Sequence, residues 1–177
     1  GDWDHAGGLS DLLSSIDVNY FWSGEAGRLV DVSRQKPISC IESMNWRTDT
    51  MKVEVLYPLN VPLDSEKKSS NNQSCVVRVT MEGFRFLLMG DLESEAELEL
   101  VRYYKHGLKS DVLIAGHHGS SNASSYALLK HVQPEYMVFS AGYRNRFGHP
   151  HSAVIERTKH FTQKIYNTAM TGALTFN

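Results

Sequence analysis

No stretch of the chain is apolar for long enough to span a bilayer, and none reads as a signal peptide. Cysteine is scarce. Cys40 and Cys75 are the only two, they lack metal-type spacing, and they read as free thiols rather than a framework, which leaves the redox compartment open. Excess charge of either sign is also missing. A net charge of -2 excludes a surface broadly built for polyanions, so any nucleic-acid contact must come from a local patch or from metal. Beyond a vague strand–helix alternation there is no internal repeat. What the chain does have is 41% apolar residues over 177 positions, enough for one domain, spanning residues 1–177, with a real core.

Leu9, Leu12, Leu13 and Ile16 recur with helical spacing, and Val18 to Trp22 reads as a strand. From Arg28 to Asp49 the pattern is weak and fits short strands; Met51 to Tyr57 alternates clearly as a longer one. Pro58 to Ser74 is polar and without apolar period, hence a loop. Cys75–Thr80 and Phe84–Met89 flank Met81-Glu82-Gly83 as a hairpin. Helices follow from Glu93 to His106, around Tyr126, Leu129 and Val132, and from Ser152. Strands are expected at Asp111–Ala115, Tyr136–Ala141, Lys164–Thr168 and Ala173–Phe176. Antiparallel meanders mixed with strand–helix–strand units fit an α/β fold of two packed sheets with helices outside, an αββα sandwich.

Residues with ligand chemistry collect where the predicted strands stop. The first block is Gly1-Asp2-Trp3-Asp4-His5-Ala6-Gly7-Gly8, where alternate carboxylates can face one point and an imidazole stands beside them. Carboxylate oxygen and imidazole nitrogen are the donors that hold divalent cations. Asp91 follows an apolar strand, though it could equally cap the next helix. Gly116-His117-His118-Gly119-Ser120 places two histidines between glycines that allow close backbone approach. Arg144-Asn145-Arg146-Phe147-Gly148-His149-Pro150-His151 closes the set. His106, His131 and His160 read as solvated helix-surface residues.

The opening block resembles the tail of the His-x-Asp-x-Asp-His-x-Gly-Gly motif of metallo-β-lactamase-fold proteins. With the Gly-Asp, Gly-His-His-Gly-Ser and Phe-Gly-His-Pro segments, it resembles in particular the C-terminal domain of the ComEC family of DNA-internalisation (competence) proteins. The similarity runs from Gly1 to about Thr168. It implies a metallo-β-lactamase-like αββα sandwich with a metal site at one edge. By that resemblance Asp4, His5 and His118 hold one ion, and Asp91 bridges to a second that Asp2 serves. His117 contacts a phosphate or also approaches metal. Ser120, Arg144, Arg146 and His149 would meet the substrate. The motif's leading histidine would directly precede Gly1, and no histidine lies between His5 and His106, so the site that uses Asp2 is short of donors. A ligand cluster at residue 1 is an odd natural start, and the chain is expected to be a fragment of a longer, polytopic membrane protein.

The activity so implied is metal-dependent hydrolysis of a phosphodiester, a nuclease acting on incoming or displaced-strand DNA. Asp4, His117 and His149 would be its catalytic residues, and Mn²⁺ or Zn²⁺ its cofactor, as one or two ions or absent in this fragment. Asp2 hardens the donor set toward Mn²⁺. Tyr143, Arg144, Arg146 and Phe147 would grip phosphates and stack bases. The partners expected are DNA, single-stranded or duplex, and the rest of the membrane channel, with no stable lipid insertion. The location implied is a soluble domain of a bacterial inner-membrane protein, on either side of that membrane. The alternatives are a metal-degenerate DNA-binding or docking module and a small-molecule metallo-hydrolase, because the fold hosts many chemistries.

Overall fold

The computed structural model describes residues 2–29, 36–60 and 69–176. The chain opens with two short helices, α1 (Trp3–Ala6) and α2 (Leu9–Ser15), and a two-residue strand β1 (Trp22–Ser23). Strand β1 pairs in parallel with β2 (Ile38–Ser39). Then come β3 (Asn45–Arg47), β4 (Met51–Tyr57), β5 (Val76–Met81), β6 (Phe84–Leu88), α3 (Ser94–Tyr104) and β7 (Val112–Ile114). The chain finishes through α4 (Tyr126–Val132), β8 (Tyr136–Phe139), α5 (Ser152–Lys159), β9 (Lys164–Asn167) and a turn of helix, α6 (Thr168–Thr171).

Of the two sheets expected, the described residues form one of seven strands, in the sequential order β3 to β9, and one of two. The large sheet changes character at β6. Strands β3 to β6 run antiparallel, with tight turns between β3 and β4 and between β5 and β6, whereas β6 to β9 are parallel. Parallel neighbours need a crossover. The helices α3, α4 and α5 supply it three times, stepping in one direction, and crossovers of one hand then place all three on one face. That face holds the core. Leu87, Leu113 and Met137 lie opposite one another in register and are fully buried, packed with Leu100, Leu128, Leu129 and Val154 from the helices. Each such side chain is worth roughly 1.5–3 kcal/mol of burial.

The alternate residues point the other way. Phe86, Leu88, Ile114 and Val138 line an apolar groove on the uncovered face, together with Leu174 and Phe176. The expected closing strand at 173–176 is absent for this reason. The tail leaves α6 through Gly172 and lays the Phe176 ring edge-on against Phe86, 5.6 Å away, and against Tyr136, 5.2 Å away.

Other expectations shift. Only Trp22 of the Val18–Trp22 stretch joins a strand, in the small β1–β2 pair. The weakly patterned 28–49 stretch yields β2 and β3, with 30–35 outside the described residues. The same is true of 61–68 within the expected loop; its later part, Asn71–Gln73, forms a 3₁₀ turn. The free-thiol reading is overturned: Cys40 and Cys75 form a disulfide, with Cα atoms 5.8 Å apart. A separation of 35 residues gave no hint of pairing; the fold creates it by bringing the segment after β2 beside the start of β5.

Candidate metal centre

The carboxyl ends of parallel strands all point to one edge, where open α/β sheets place their ligands. Here that edge gathers the ends of β6, β7 and β8. After β6 the chain turns at Gly90, and Asp91 follows with a buried carboxylate. It is no helix cap; α3 starts at Ser94 behind the N-cap Glu93. The Asp91 N–H donates to Ser74 Oγ at 3.0 Å, and the Glu93 N–H donates to Asn72 Oδ1 at 3.0 Å. The polar segment 71–74 is thus a brace for the aspartate turn, anchored at its end by the Cys40–Cys75 bond.

After β7 the chain makes a tighter bend. His117 and His118 both take left-handed backbone angles, φ 47° and 55°. Such a conformation costs about 1–3 kcal/mol per non-glycine residue and persists where surroundings over-determine it. Two backbone bonds do so: His117 N–H donates to Gly90 O at 2.9 Å, and His151 N–H donates to Gly119 O at 2.8 Å. Gly119 itself, at φ 86°, has no room for a side chain: a Cβ would stand 2.6 Å from the Phe139 ring and 2.7 Å from Pro150. The double bend aims the two rings apart. His118 turns toward Asp4 and Asp91. His117 Nδ1 stands 3.6 Å from Glu93 Oε1, and its ring centroid lies 5.9 Å from that of His149.

Four side chains from three distant segments converge. One donor atom each from Asp4, His5, Asp91 and His118 lies within 4.8 Å of the others. His5 Nε2 is 3.0 Å from Asp91 Oδ2, while His118 Nε2 is 3.2 Å from Asp4 Oδ2 and 3.5 Å from Asp91 Oδ1. His118 Nδ1 donates to the Ser140 carbonyl at 2.7 Å, since a carbonyl can only accept. A neutral ring so bonded presents the lone pair of Nε2 to the two carboxylates, the orientation a metal-ligating histidine takes from an outer-shell carbonyl. A lone pair facing carboxylate oxygens is repulsive unless a cation or an added proton stands between them. Asp91 Oδ1 is buried and accepts no hydrogen bond. A cation ligand for that oxygen fits the donor set.

The electrostatics agree. A hydrogen bond to Asp91 and the charges of Asp91 and Asp4 raise the His5 pKa above its usual value, against the opposing effect of burial. Burial works against ionised Asp91, but the hydrogen bond from His5 and the nearby imidazoles outweigh it and hold the carboxyl below its usual range. Burial lowers the His149 pKa, helped by the charges of His117, His118 and His151.

Asp2 stands apart from the four donors. Its Oδ1 lies 3.5 Å from the Arg28 guanidinium, although the residue lines the same groove as Asp4 and Asp91. Ser120 is buried behind the histidine bend, its N–H bonded to the His117 carbonyl. Of the two loop arginines, Arg146 lines the groove with Phe147 and His149; Arg144 lies over the exposed Tyr143 ring instead, 5.2 Å from its centre. The Asn145 amide clamps this loop by donating to the His149 carbonyl and accepting the His149 N–H. His106 and His160 are exposed, as expected, while His131 is half-buried and its Nδ1 donates to Ala127 O. Sequence reasoning missed Asn72, Ser74, Glu93 and Ser140. Their polar types are ordinary, and only the fold sets them behind the ligands.

No family model matches the chain. In sequence it is 41% identical over 99% of its length to the competence protein ComA of Neisseria gonorrhoeae, and 27% identical over 99% of its length to ComE operon protein 3 of Bacillus subtilis. The chain spans about a quarter of the length of these relatives, 24% and 23%. In structure it is similar to the metallo-β-lactamase fold protein YhfI of Bacillus subtilis, with a TM-score of 0.50 at 8% identity, covering 93% of this chain and 69% of that one. The chain has the metallo-β-lactamase fold. It joins that fold to a sequence similarity to a competence protein. No helix among the described residues is long and apolar enough to cross a membrane.

Proposed function

We propose that this metallo-β-lactamase-fold chain is the metal-dependent phosphodiesterase unit of a DNA-uptake protein, a nuclease resembling the C-terminal domain of the ComEC family. The observation that carries the reading is the convergence of Asp4, His5, Asp91 and His118 at the carboxyl edge of the sheet. Two carboxylates and two imidazoles suit Mn²⁺ or Zn²⁺. A bound divalent ion lowers the pKa of water toward ~7 and neutralises charge on phosphoryl oxygens.

The chain's own groups divide the remaining work. Asp91 and His118 hold the donor geometry, because both sit on strand-end turns fixed by backbone hydrogen bonds. Asp4 and His5 close the cluster from the amino-terminal helix. His117 Nδ1 and His149 Nδ1 are buried without hydrogen-bond partners, and the two rings neighbour each other. Both rings line the groove over the cluster, where their groove-facing edges would meet phosphoryl oxygens and give a proton to the leaving alkoxide as the P–O bond breaks. Arg146 supplies positive charge at the rim of the same groove. One relative is named a competence protein, and DNA with the remainder of a membrane channel are the partners that fit.

The test is cleavage of end-labelled DNA by the protein supplied with Mn²⁺ or Zn²⁺. Wild type cuts single-stranded or duplex DNA and stops in EDTA; Asp91→Ala and His118→Ala do not cut. Cutting that survives both substitutions overturns the reading. Tight DNA binding with neither bound metal nor cutting points instead to a docking module.

A further inference from the structure

We infer that Trp3 and Phe147 are two stacking walls of the metal-centre groove, and that the groove therefore takes nucleic acid with unpaired bases on either side of the phosphate under attack. The inference rests on the phosphodiesterase reading above. A groove of about 440 Å³ runs over the cluster, lined at its floor by Asp4, Asp91 and His118 and carrying Trp3 and Phe147 in its wall. Trp3 is 88% exposed and Phe147 64% exposed. Neither ring belongs to the core, so the fold has no use for them there.

Each ring has a local neighbour. The Trp3 indole lies against Gly7 one helical turn on, where a Cβ would stand 3.0 Å from Cε3. Phe147 has two neighbours: its ring lies nearly parallel to His149, tilted by 19° with centroids 5.7 Å apart, and the Arg146 guanidinium stands 4.8 Å from its centre. From the cluster outward the rings form a continuous series, His5 to His118 at 5.3 Å, His118 to His117 at 6.4 Å, His117 to His149 at 5.9 Å, then Phe147. Exposed aromatic faces bind any base whose face is free, and an adjacent guanidinium adds attraction for the phosphate. A duplex offers no free face within its stack. Aromatic walls beside an acidic floor thus select the strand form of the substrate and leave base identity unread.

The experiment measures binding of a labelled 12-nucleotide oligonucleotide in Mn²⁺ by fluorescence anisotropy, alongside a duplex of the same sequence and a single strand with abasic positions at its centre. Trp3→Ala and Phe147→Ala each weaken the single strand about 5- to 150-fold, leave the duplex unchanged, and narrow the difference between intact and abasic strands. Trp3→Phe restores most of the binding. Unchanged single-strand affinity, or an equal loss on duplex, overturns the inference. Because both rings are exposed, the variants keep the wild-type melting temperature. Metal-dependent cutting by wild type with variants that bind normally sinks this inference alone, whereas wild type that neither binds nor cuts any DNA sinks the phosphodiesterase reading with it.

Discussion

The candidate metal centre is made of two unlike halves. Asp91 and His118 rise from turns at the ends of β6 and β7, with side chains only 9% and 27% exposed, and hydrogen bonds accepted by Ser74 Oγ and by the Gly90 and Ser140 carbonyls fix those turns. Asp4 and His5 come from the four-residue helix α1, which has no buried residue; their side chains are 58% and 40% exposed. One half is set by the sheet before any ligand arrives. The other is held chiefly by its contacts with the first. A donor set built this way spends folding energy on the rigid pair and lets the ligand itself fix the second.

The comparison is open to being broken, most sharply at the ligands. Structural metal binding totals about 10–16 kcal/mol in small sites, so a four-donor site averages about 2.5–4 kcal/mol per donor. Asp91→Ala and His118→Ala therefore cost about 4 kcal/mol, near 1,000-fold in Mn²⁺ affinity by calorimetry. Asp4→Ala costs less, about tenfold to 100-fold, because water replaces an exposed carboxylate more easily. Equal losses in the two halves would erase the distinction.

Next in size is the brace behind Asp91. Replacing both Cys40 and Cys75 by Ser opens a loop of 35 residues and lowers stability by about 3–4 kcal/mol. For a chain of this size the melting temperature falls by roughly 6–16 °C. The same variant weakens metal binding, because Ser74 no longer holds the Asp91 N–H firmly; a wild-type metal affinity in it would detach the brace from the site. Gly119→Ala forces a Cβ into Phe139 and Pro150 and costs about 1–3 kcal/mol in chemical denaturation, together with loss of His118 alignment.

The smallest effect lies at the junction of β6 and β7, which carries the rigid half. Asp111 Oδ2 accepts the Arg85 N–H at 2.7 Å, and its carboxylate meets the Arg85 guanidinium. Burial opposes ionisation of Asp111, but the Arg85 bonds prevail and hold its pKa below the usual 3.8. A depressed carboxyl stabilises the fold above the unfolded value and loses that contribution as pH falls through the folded one. Asp111→Asn costs about 1 kcal/mol at neutral pH, and urea midpoints of variant and wild type converge toward pH 3.

Much of this was legible in the residues. The strand Met51–Tyr57 alternates apolar and charged positions, and its observed bounds match that alternation. The hairpin over Glu82-Gly83 announced itself through turn chemistry, and the helix starting at Ser152 through the helical spacing of Val154, Ile155 and Thr158. Two adjacent histidines between glycines also pointed to a site, and the structure separates their rings as expected of neighbours on a loop. What stayed hidden depends on distance along the chain. The Cys40–Cys75 pair, the Ser74 bond to Asp91 and the Ser140 bond to His118 join segments 35, 17 and 22 residues apart. No local period encodes such pairings. Asp2 misled because alternation with Asp4 suggests a shared direction, whereas α1 turns the two carboxylates apart and gives Asp2 to Arg28.

The account rests on a divalent ion being held jointly by Asp4, His5, Asp91 and His118. Its most direct test is the metal content and Mn²⁺ titration of the purified protein beside a variant with all four positions changed to alanine. The account predicts at least one equivalent bound per chain in the wild type and none in the variant at the same free Mn²⁺. Stoichiometric binding that survives in the variant, or a wild type that takes up no divalent metal at all, contradicts it.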